Sequence, residues 1–320
     1  MAISSGLMLA GMTQWGVRQT AEFESQMTSV ERIVEYKNLD QEAPKESIEE
    51  LKPEDKWPTK GEIQFDDMSL AYGDIDQKPV LKNLKCKIEG GEKIGIVGRT
   101  GAGKSSMIAA LFRLIEPSGV IRIDGVDIQS IGLDDLRQKI SIIPQDPVIY
   151  SGTIRYNLDP FNQYDDRELW TALDQVQLMD KVCNFPGKLD AQLSESGGNL
   201  SVGQRQLICL ARAILRRNQI LVLDEATANI DHQTDSLIQD TIRSQFGACT
   251  VLTIAHRLNT IIDSDRVLVL DAGKIVEFDI PYQLLQRQGA FYDMCQKTGP
   301  KMYSHLQQIA KSAYEQQQQQ

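Results

Sequence analysis

The chain has 320 residues, of which 41% are hydrophobic, and its formal net charge is −10 at pH 7. This length allows two average domains, and the hydrophobic fraction is ordinary for a packed globular protein. The acidic charge argues against a surface for nucleic acid or anionic membranes, because such surfaces are basic. The five cysteines lie far apart without a C-x-x-C pair. Neither a zinc site nor a disulfide framework is therefore indicated, and a reduced, cytosolic setting fits best.

The N-terminal segment, residues 1–37, has helical character. Residues 1–16 are apolar and small, but a bilayer span needs about 20 residues. No basic residue precedes Arg18, which argues against a secretory signal. From Val17 onwards, apolar residues recur at helical spacing. We interpret residues 1–37 as the end of a membrane helix that enters the cytosol. A soluble amphipathic helix that covers a core is the alternative.

Residues 38–60 are charged and contain Pro44, Pro53 and Pro58, which predicts a linker and a domain boundary near residue 60. Residues 62–72 and 80–88 alternate apolar and polar side chains, as half-exposed strands of a small antiparallel layer would. Tyr72 lies at the end of the first of these strands. Its ring could stack on an adenine base, or it could simply pack on neighbouring side chains.

The segment 98–105, GRTGAGKS, fits the pattern G-x-x-x-x-G-K-[ST] of a phosphate-binding loop. Its glycines allow backbone amides to converge on an anion, and the helix that follows directs its positive end at the same place. Lys104 adds a charge for the β and γ phosphates, and the Ser105 hydroxyl suits Mg²⁺. The apolar run directly before the loop, residues 93–97, predicts a buried parallel strand.

Four apolar runs, separated by helical stretches, predict one parallel sheet. These runs are residues 94–97, 220–223, 251–254 and 267–270. The second run ends in Asp224 and Glu225, where open α/β sheets bind ligands. We expect Asp224 to hold Mg²⁺ and Glu225 to deprotonate water. Gln145 follows the apolar stretch 140–144, and His256 follows the third run and Ala255. Each could reach a γ-phosphate or could be a structural residue.

A helix is predicted to begin at residues 200–204, LSVGQ. Ser201 and Gln204 have the S-x-x-Q spacing of a capping box. Gly203 is unfavourable in a first helical turn but useful where a ligand must approach the backbone. The sequence therefore predicts a second anion site here.

Together and in this order, these motifs resemble the nucleotide-binding domain of ABC transporters over about residues 61–297. The resemblance rests on GRTGAGKSS, IIPQDP, LSVGQ, ILVLDEAT, ANID and TIAHRL. ESGGNLSVGQRQL and SGTIRYNLDPF look like the second such domain of multidrug-resistance-associated exporters. The resemblance implies an α/β fold, in which a phosphate-loop NTPase parallel sheet is accompanied by an antiparallel β layer and a helical insert over about residues 147–217. The end of the last transmembrane helix would precede this domain.

The resemblance also implies roles for single residues. The catalytic residues would be Glu225, His256 and Gln145, and the Mg²⁺ ligands would be Ser105, Gln145 and Asp224. The residues implied to bind ATP are Tyr72, Gly98, Thr100, Gly101, Gly103, Lys104, Ser105, Ser106, Ser201, Gly203, Gln204 and Asp231. Ser201 and Gly203 would act on the nucleotide of a second domain, and Asp231 would lie at that interface. Val202 departs from the commonest family form, LSGGQ, and could weaken the site that this loop completes.

The implied function is hydrolysis of ATP with Mg²⁺ to power export of organic anions or drug-like solutes. The implied partners are transmembrane domains and a second, head-to-tail nucleotide-binding domain, at the cytoplasmic face of a membrane, with the plasma membrane favoured. No nucleic acid is expected as a partner. A non-transporting ABC ATPase or a regulatory ATP-binding module is the alternative. Residues 298–320, which end in five glutamines, predict a disordered tail.

Overall fold

The computed structural model describes residues 2–39, 41–54, 56–73, 78–194, 197–224, 230–255 and 257–318. The chain divides into two compact units, Met1–Pro44 and Lys45–Gln320. The first unit contains one uninterrupted helix, α1 (Ala2–Lys37), so the helical character predicted for this segment is confirmed. Within the described residues, no helix is both long enough and apolar enough to cross a membrane.

The second unit alternates strands and helices along much of its length. Its strands are β1 (Ile63–Leu70), β2 (Leu81–Ile88), β3 (Lys93–Gly98), β4 (Ser118–Ile123), β5 (Val126–Asp127), β6 (Ile140–Ile143), β7 (Gly152–Thr153), β8 (Gln192–Leu193), β9 (Ile220–Asp224), β10 (Thr250–Ile254), β11 (Arg266–Asp271) and β12 (Lys274–Asp279). Its helices are α2 (Lys104–Leu111), α3 (Leu133–Gln138), α4 (Ile154–Leu158), α5 (Asp166–Gln175), α6 (Met179–Cys183), α7 (Val202–Arg216), α8 (His232–Gln245), α9 (Pro281–Arg287), α10 (Ala290–Gln296) and α11 (Pro300–Gln317).

Six strands form the central sheet, in the order β12-β11-β3-β10-β9-β6. The neighbours from β11 to β6 pair in parallel, and β12 adds to β11 as an antiparallel edge. The four apolar runs predicted as core strands are β3, β9, β10 and β11, so the predicted parallel sheet is confirmed. The carboxyl ends of β3, β10, β9 and β6 therefore lie side by side at one edge of the sheet.

The sheet is buried on both faces because successive strand residues point in opposite directions. In β9, Ile220 and Val222 join the core that contains α2, whereas Leu221 and Leu223 join the core that contains α7. Helices α2 and α7 thus pack against opposite faces of the sheet. A third core surrounds Val97 and Ala255 and includes residues of α9, α10 and α11.

The predicted antiparallel layer is a sheet with the order β2-β1-β4-β5. Strands β1 and β2 correspond to the two predicted segments, and β4 and β5 join them. The β4–β5 turn has Asp124 at φ 48° and Gly125 at φ 80°, the left-handed pair of a tight Asp-Gly hairpin. Phe65 of β1 and Ile121 of β4 are fully buried in the core that contains α2. The layer therefore shares its core with the phosphate-loop helix.

The expected helical insert contains α4, α5, α6 and α7, with a short β7-β8 pair. Helix α7 begins after Ser201 with the predicted capping box. The Ser201 Oγ accepts a hydrogen bond from the Gln204 amide at 3.2 Å, and the Gln204 Oε1 accepts one from the Ser201 amide at 3.1 Å. The spacing of Ser201 and Gln204 thus predicts the start of this helix correctly.

Residues 45–54 and 56–60 belong to the second unit rather than to a free linker, so the boundary between the units lies after residue 44 and not near residue 60. The Ser47 Oγ hydrogen-bonds to the Asp135 carboxylate, and the Trp57 Nε1 donates to the Ile123 carbonyl at 2.9 Å. Trp57 is 6% exposed. These contacts could not be predicted from the charged, proline-containing sequence, because each of them depends on a single side chain.

The C-terminal segment also differs from the expected disorder, since α11 covers most of residues 298–320. Its Leu306 and Ala310 are buried in the third core, and Tyr314 stacks on Tyr282 of α9 with ring centroids 5.2 Å apart. The prediction of disorder rested on the glutamine-rich end and overlooked an apolar stripe at Tyr303, Leu306 and Ala310, which has the spacing of one helix face.

Candidate nucleotide site

The loop between β3 and α2 has the geometry of an anion cradle. Gly101 and Gly103 have φ values of 80° and 106°, which a residue with a Cβ adopts only at a cost. A Cβ at Gly103 would also come within 2.5 Å of the Leu81 Cδ2. The loop is fixed by hydrogen bonds from the Ala102 amide to the Arg99 carbonyl at 3.0 Å and from the Gly273 amide to the Ala102 carbonyl at 3.1 Å.

Lys104 begins α2 and returns its side chain over the loop. Its Nζ donates to the Gly98 carbonyl at 2.9 Å and to the Arg99 carbonyl at 3.3 Å. The residue is 7% exposed, so its ammonium group is held at the loop by backbone oxygens. Thr100, Gly101 and Ser105 are exposed along the same loop. The loop thus presents backbone amides, the Lys104 ammonium group and the exposed Ser105 hydroxyl to an anionic ligand. This set of groups suits a polyphosphate.

Tyr72 and Ser106 meet beside the phosphate loop. The Tyr72 hydroxyl donates to the Ser106 Oγ at 3.0 Å, although the two residues are 34 positions apart. Ser106 is buried in α2, and Tyr72 is 44% exposed. The ring of Tyr72 is thus held at the loop with much of its surface available for stacking.

The strand order places Asp224 and Gln145 near the phosphate loop. In the ladder, Ile254 of β10 pairs with both Ile96 of β3 and Asp224 of β9. Gln145 follows β6, which pairs with β9 through Ile143 and Leu223, and its side chain is exposed. Glu225 and His256 lie outside the described residues. They directly follow Asp224 and Ala255, which are both among the described residues.

Ser201, Gly203 and Gln204 lie at the start of α7, which packs on the opposite face of the sheet from α2. A Cβ at Gly203 would come within 2.8 Å of the Thr234 Cγ2 in α8. Close packing of α7 against α8 is therefore a sufficient reason for the glycine at position 203. From the sequence alone, this glycine was attributed to the close approach of a ligand. Val202 is 38% exposed and presents its methyl groups at the helix start.

Asp231 is the N-cap of α8. Its carboxylate oxygens accept from the Thr234 amide and the Thr234 hydroxyl, each at 3.0 Å. These bonds hold the pKa of Asp231 below its usual value, with the amide bond as the larger cause. The exposed Asp231 carboxylate thus stays ionised at the N-terminal end of α8. Thr234, which binds this carboxylate, also packs against Gly203 of α7.

Sequence reasoning missed three polar residues that bind the segment around Gln145. Asn157, Gln206 and Arg212 make hydrogen bonds to backbone groups between Pro144 and Thr153. Asn157 and Gln206 are each 1% exposed, and burial lowers the pKa of Arg212. Their only sequence signal is a polar side chain in an otherwise apolar environment.

Comparison with known proteins supports a common origin for this arrangement. A family model described as ABC transporter matches residues 81–228. The chain is 56% identical over 315 residues to ATP-binding cassette sub-family C member 4 of Mus musculus, which covers 98% of this chain and 24% of that protein. The Homo sapiens protein of the same name gives the same values. The Drosophila melanogaster "Probable multidrug resistance-associated protein lethal(2)03659" is 54% identical over 318 residues, 98% of this chain and 23% of its own length.

A solved structure titled "Structure of a bacterial Atm1-family ABC exporter with ATP bound" matches with a TM-score of 0.76 and 32% sequence identity. The match covers 86% of this chain and 47% of that chain. The chain spans about a quarter of the length of the curated relatives named above. The family model, the relatives and the solved structure agree with the motifs placed around the loop. The chain therefore belongs to the ABC transporter family, as a nucleotide-binding domain of subfamily C.

Proposed function

We propose that this chain binds and hydrolyses MgATP as the second nucleotide-binding domain of a longer exporter of organic anions or drug-like solutes. The observation that carries the proposal is the strand order β3-β10-β9-β6. It gathers the phosphate loop, Ala255, Asp224 and Gln145 at one sheet edge. The subfamily C relatives, one of them named as multidrug resistance-associated, support the transport part of the proposal.

Nucleotide binding is assigned to the phosphate loop and its neighbours. The backbone of Gly98, Thr100, Gly101 and Gly103 would cradle the phosphates, and Lys104 would exchange its two carbonyl partners for phosphate oxygens. The hydroxyls of Ser105 and Ser106 lie at the start of α2, whose positive end favours anions. Tyr72 would stack on the adenine ring.

The Mg²⁺ ligands would be Ser105, Gln145 and Asp224. Hydroxyl, amide and carboxylate oxygens are the donors that this hard cation prefers, and the remaining positions are commonly filled by water and phosphate. When bound, Mg²⁺ would neutralise charge that develops on the phosphates. The chain contributes the placement of the three oxygens on α2, β9 and the segment after β6.

Hydrolysis is assigned to Glu225 as the general base, with Gln145 and His256 orienting the attacking water and the γ-phosphate. Glu225 directly follows the proposed metal ligand Asp224, which is the last residue of β9. A carboxylate in that position accepts a proton from water as the new bond to phosphorus forms.

Ser201, Gly203, Gln204 and Asp231 are proposed to act on the nucleotide of a second, head-to-tail nucleotide-binding domain. They lie on α7 and at the cap of α8, on the opposite face of the sheet from α2. Val202 adds a branched side chain where the commonest family form of this loop, LSGGQ, has glycine, so the site completed by this loop should be the weaker of the two.

In this proposal, residues 61–297 are the nucleotide-binding domain, residues 1–37 are the cytosolic end of the last transmembrane helix, and residues 38–60 connect them. The domain would work at the cytoplasmic face of a membrane, in partnership with transmembrane domains. The plasma membrane is the location that we favour.

The test is Glu225→Gln in a transporter that contains both nucleotide-binding domains. Glutamine keeps the size of the side chain but does not accept a proton at neutral pH, so turnover should fall about 10²- to 10⁴-fold. ATP binding should persist because the phosphate loop is unchanged. The matched control is Glu315→Gln on the exposed face of α11, which should hydrolyse ATP normally. Near-normal turnover in Glu225→Gln would contradict the base assignment.

A further inference from the structure

The segment that carries Gln145, residues 144–151 between β6 and β7, is held by two side chains of α7. The Gln206 Nε2 donates to the Pro144 carbonyl at 2.8 Å, directly before Gln145. Two turns further along α7, the Arg212 Nη1 donates to the Val148 carbonyl at 2.7 Å. The segment is thus attached to α7 at its start and at its middle.

Asn157 of α4 completes this network from the other side. The Arg212 Nε and Nη2 donate to the carbonyl and the Oδ1 of Asn157. The Asn157 Oδ1 also accepts from the Tyr150 amide at 2.8 Å, and its Nδ2 donates to the Tyr150 carbonyl at 2.8 Å. The Arg212 guanidinium also lies over the Tyr150 ring, 5.7 Å from its centroid. One arginine therefore ties α4, α7 and the Gln145 segment together.

The network is costly to separate. Buried polar groups that lose their partners pay a desolvation penalty, and Asn157 and Gln206 are almost fully buried. A displacement of residues 144–151 should therefore move α7 with it rather than break these bonds. The first turn of α7 contains Ser201, Gly203 and Gln204, so a displacement at Gln145 reaches that turn through a rigid helix.

We propose that Gln206 and Arg212 are positioning residues that couple Gln145 to the first turn of α7. This inference rests on the proposed function, in which Gln145 belongs to the chain's own nucleotide site and Ser201 to that of the partner domain. Occupancy of one site would then set the placement of the residues that complete the other site. Arginine is needed at position 212 because its planar fork serves Val148 and Asn157 at once, which a lysine ammonium does not reproduce.

The experiment is hydrogen–deuterium exchange on the full chain with and without MgATP. It follows three groups of amides: the phosphate loop at 98–105, the segment 145–151, and the α7 turn at 202–206. In the wild type, MgATP should slow exchange in all three groups. The slowing at the α7 turn should be at least about fivefold, the lower end of typical coupling between sites. In Arg212→Met and in Gln206→Leu, the phosphate loop should remain protected while the response at the α7 turn is lost.

Arg216→Met is the matched control, since Arg216 lies one turn further along α7 and is exposed; its response should equal that of the wild type. Arg212→Lys should recover only part of the response. Thermal unfolding of each variant identifies any that fails to fold, and Gln206→Leu then tests the coupling without Arg212→Met. A full α7 response in the variants, or none in a wild type whose phosphate loop is protected, overturns the coupling. A wild type without phosphate-loop protection contradicts the proposed function itself, and the coupling with it.

Discussion

The Tyr72 hydroxyl donates to the Ser106 Oγ at 3.0 Å, and this bond joins the segment after β1 to the first turn of the phosphate-loop helix. Two features of one proposed site, an aromatic platform and a polyphosphate cradle, are thereby held at a fixed separation. A hydrogen bond between partly buried hydroxyls contributes only about 1 kcal/mol, so the bond orients the ring more than it stabilises the domain.

Substitution of Tyr72 separates the ring from the hydroxyl. Tyr72→Phe removes the bond to Ser106 and keeps the stacking surface, so ATP affinity should change by less than about tenfold, which corresponds to 1.4 kcal/mol. Tyr72→Ala removes the stacking, which is worth about 1–3 kcal/mol per base, and should weaken ATP binding by about 5- to 150-fold. Equilibrium titration with a fluorescent ATP analogue measures both variants. Equal affinities for Phe and Ala would contradict the stacking role.

Gly203→Ala tests whether helix packing requires this glycine. The new methyl group would overlap the Thr234 Cγ2, so the free energy of unfolding should fall by about 1–3 kcal/mol, as in other overpacked cores. Thr234→Ser removes that Cγ2 and keeps the hydroxyl that binds Asp231. In the Thr234→Ser background, Gly203→Ala should therefore cost less, as measured by urea unfolding. An unchanged cost would show that the Thr234 methyl group is not the obstacle.

Leu306→Ala tests the contribution of α11 to the core behind the phosphate loop. Leu306 is fully buried with Val97 and Ala255, which precede Gly98 and His256. Truncation of a buried leucine costs about 2–5 kcal/mol. Gln308→Ala, at an exposed position of the same helix, is the control and should change stability by less than about 0.5 kcal/mol. Equal unfolding free energies in the two variants would mean that α11 does not pack on this core.

Asp124 should make the free energy of unfolding depend on pH in the acidic range. Burial raises the pKa of its carboxyl group, but hydrogen bonds from four backbone amides, that of Lys60 first, lower it more, so the pKa of Asp124 lies below the ordinary value of an aspartate. A depressed carboxyl pKa stabilises the folded state above the unfolded-state pKa, and that contribution disappears as the pH falls through the folded-state value. Wild-type stability should therefore decline more steeply below about pH 4 than that of Asp124→Asn.

Asparagine suits this test because it tolerates the left-handed conformation of the Asp124–Gly125 turn. The difference is measured from urea unfolding midpoints between pH 2 and pH 7, which is about the range over which carboxyl groups titrate. Asp240→Asn, on the exposed side of α8, is the control and should follow the wild-type curve. Parallel curves for the wild type and Asp124→Asn would contradict the assignment.

Local signals in the sequence predict the centre of the fold well. The apolar runs of β3, β9, β10 and β11 are long enough to identify buried strands, and the glycine-rich loop and the capping box each need only a few adjacent residues. β4, β5 and β12 were missed for different reasons. β5 has only two residues and β12 lies at a sheet edge, whereas β4 is an inner strand that begins with the exposed Ser118 and Gly119.

The residues around Gln145 illustrate the limit for the candidate site. The chain order shows that Gln145, Asp224 and the phosphate loop follow apolar strands, and a parallel sheet brings such ends together. The contacts of Gln206 and Arg212 join residues more than 50 positions apart, and no local pattern encodes them. Gly203 is a related case, since the residue that constrains it, Thr234, lies in a different helix.

The close approach of Leu81 to Gly103 has a consequence for how this protein can vary. The Leu81 side chain is fully buried against Gly103, the residue directly before the phosphate-loop helix, although Leu81 belongs to the antiparallel layer. A larger or smaller side chain at position 81 would shift the start of α2 and with it the amides that we propose to face the phosphates. Nucleotide affinity can therefore diverge between relatives through β2, while every residue that touches the nucleotide stays the same.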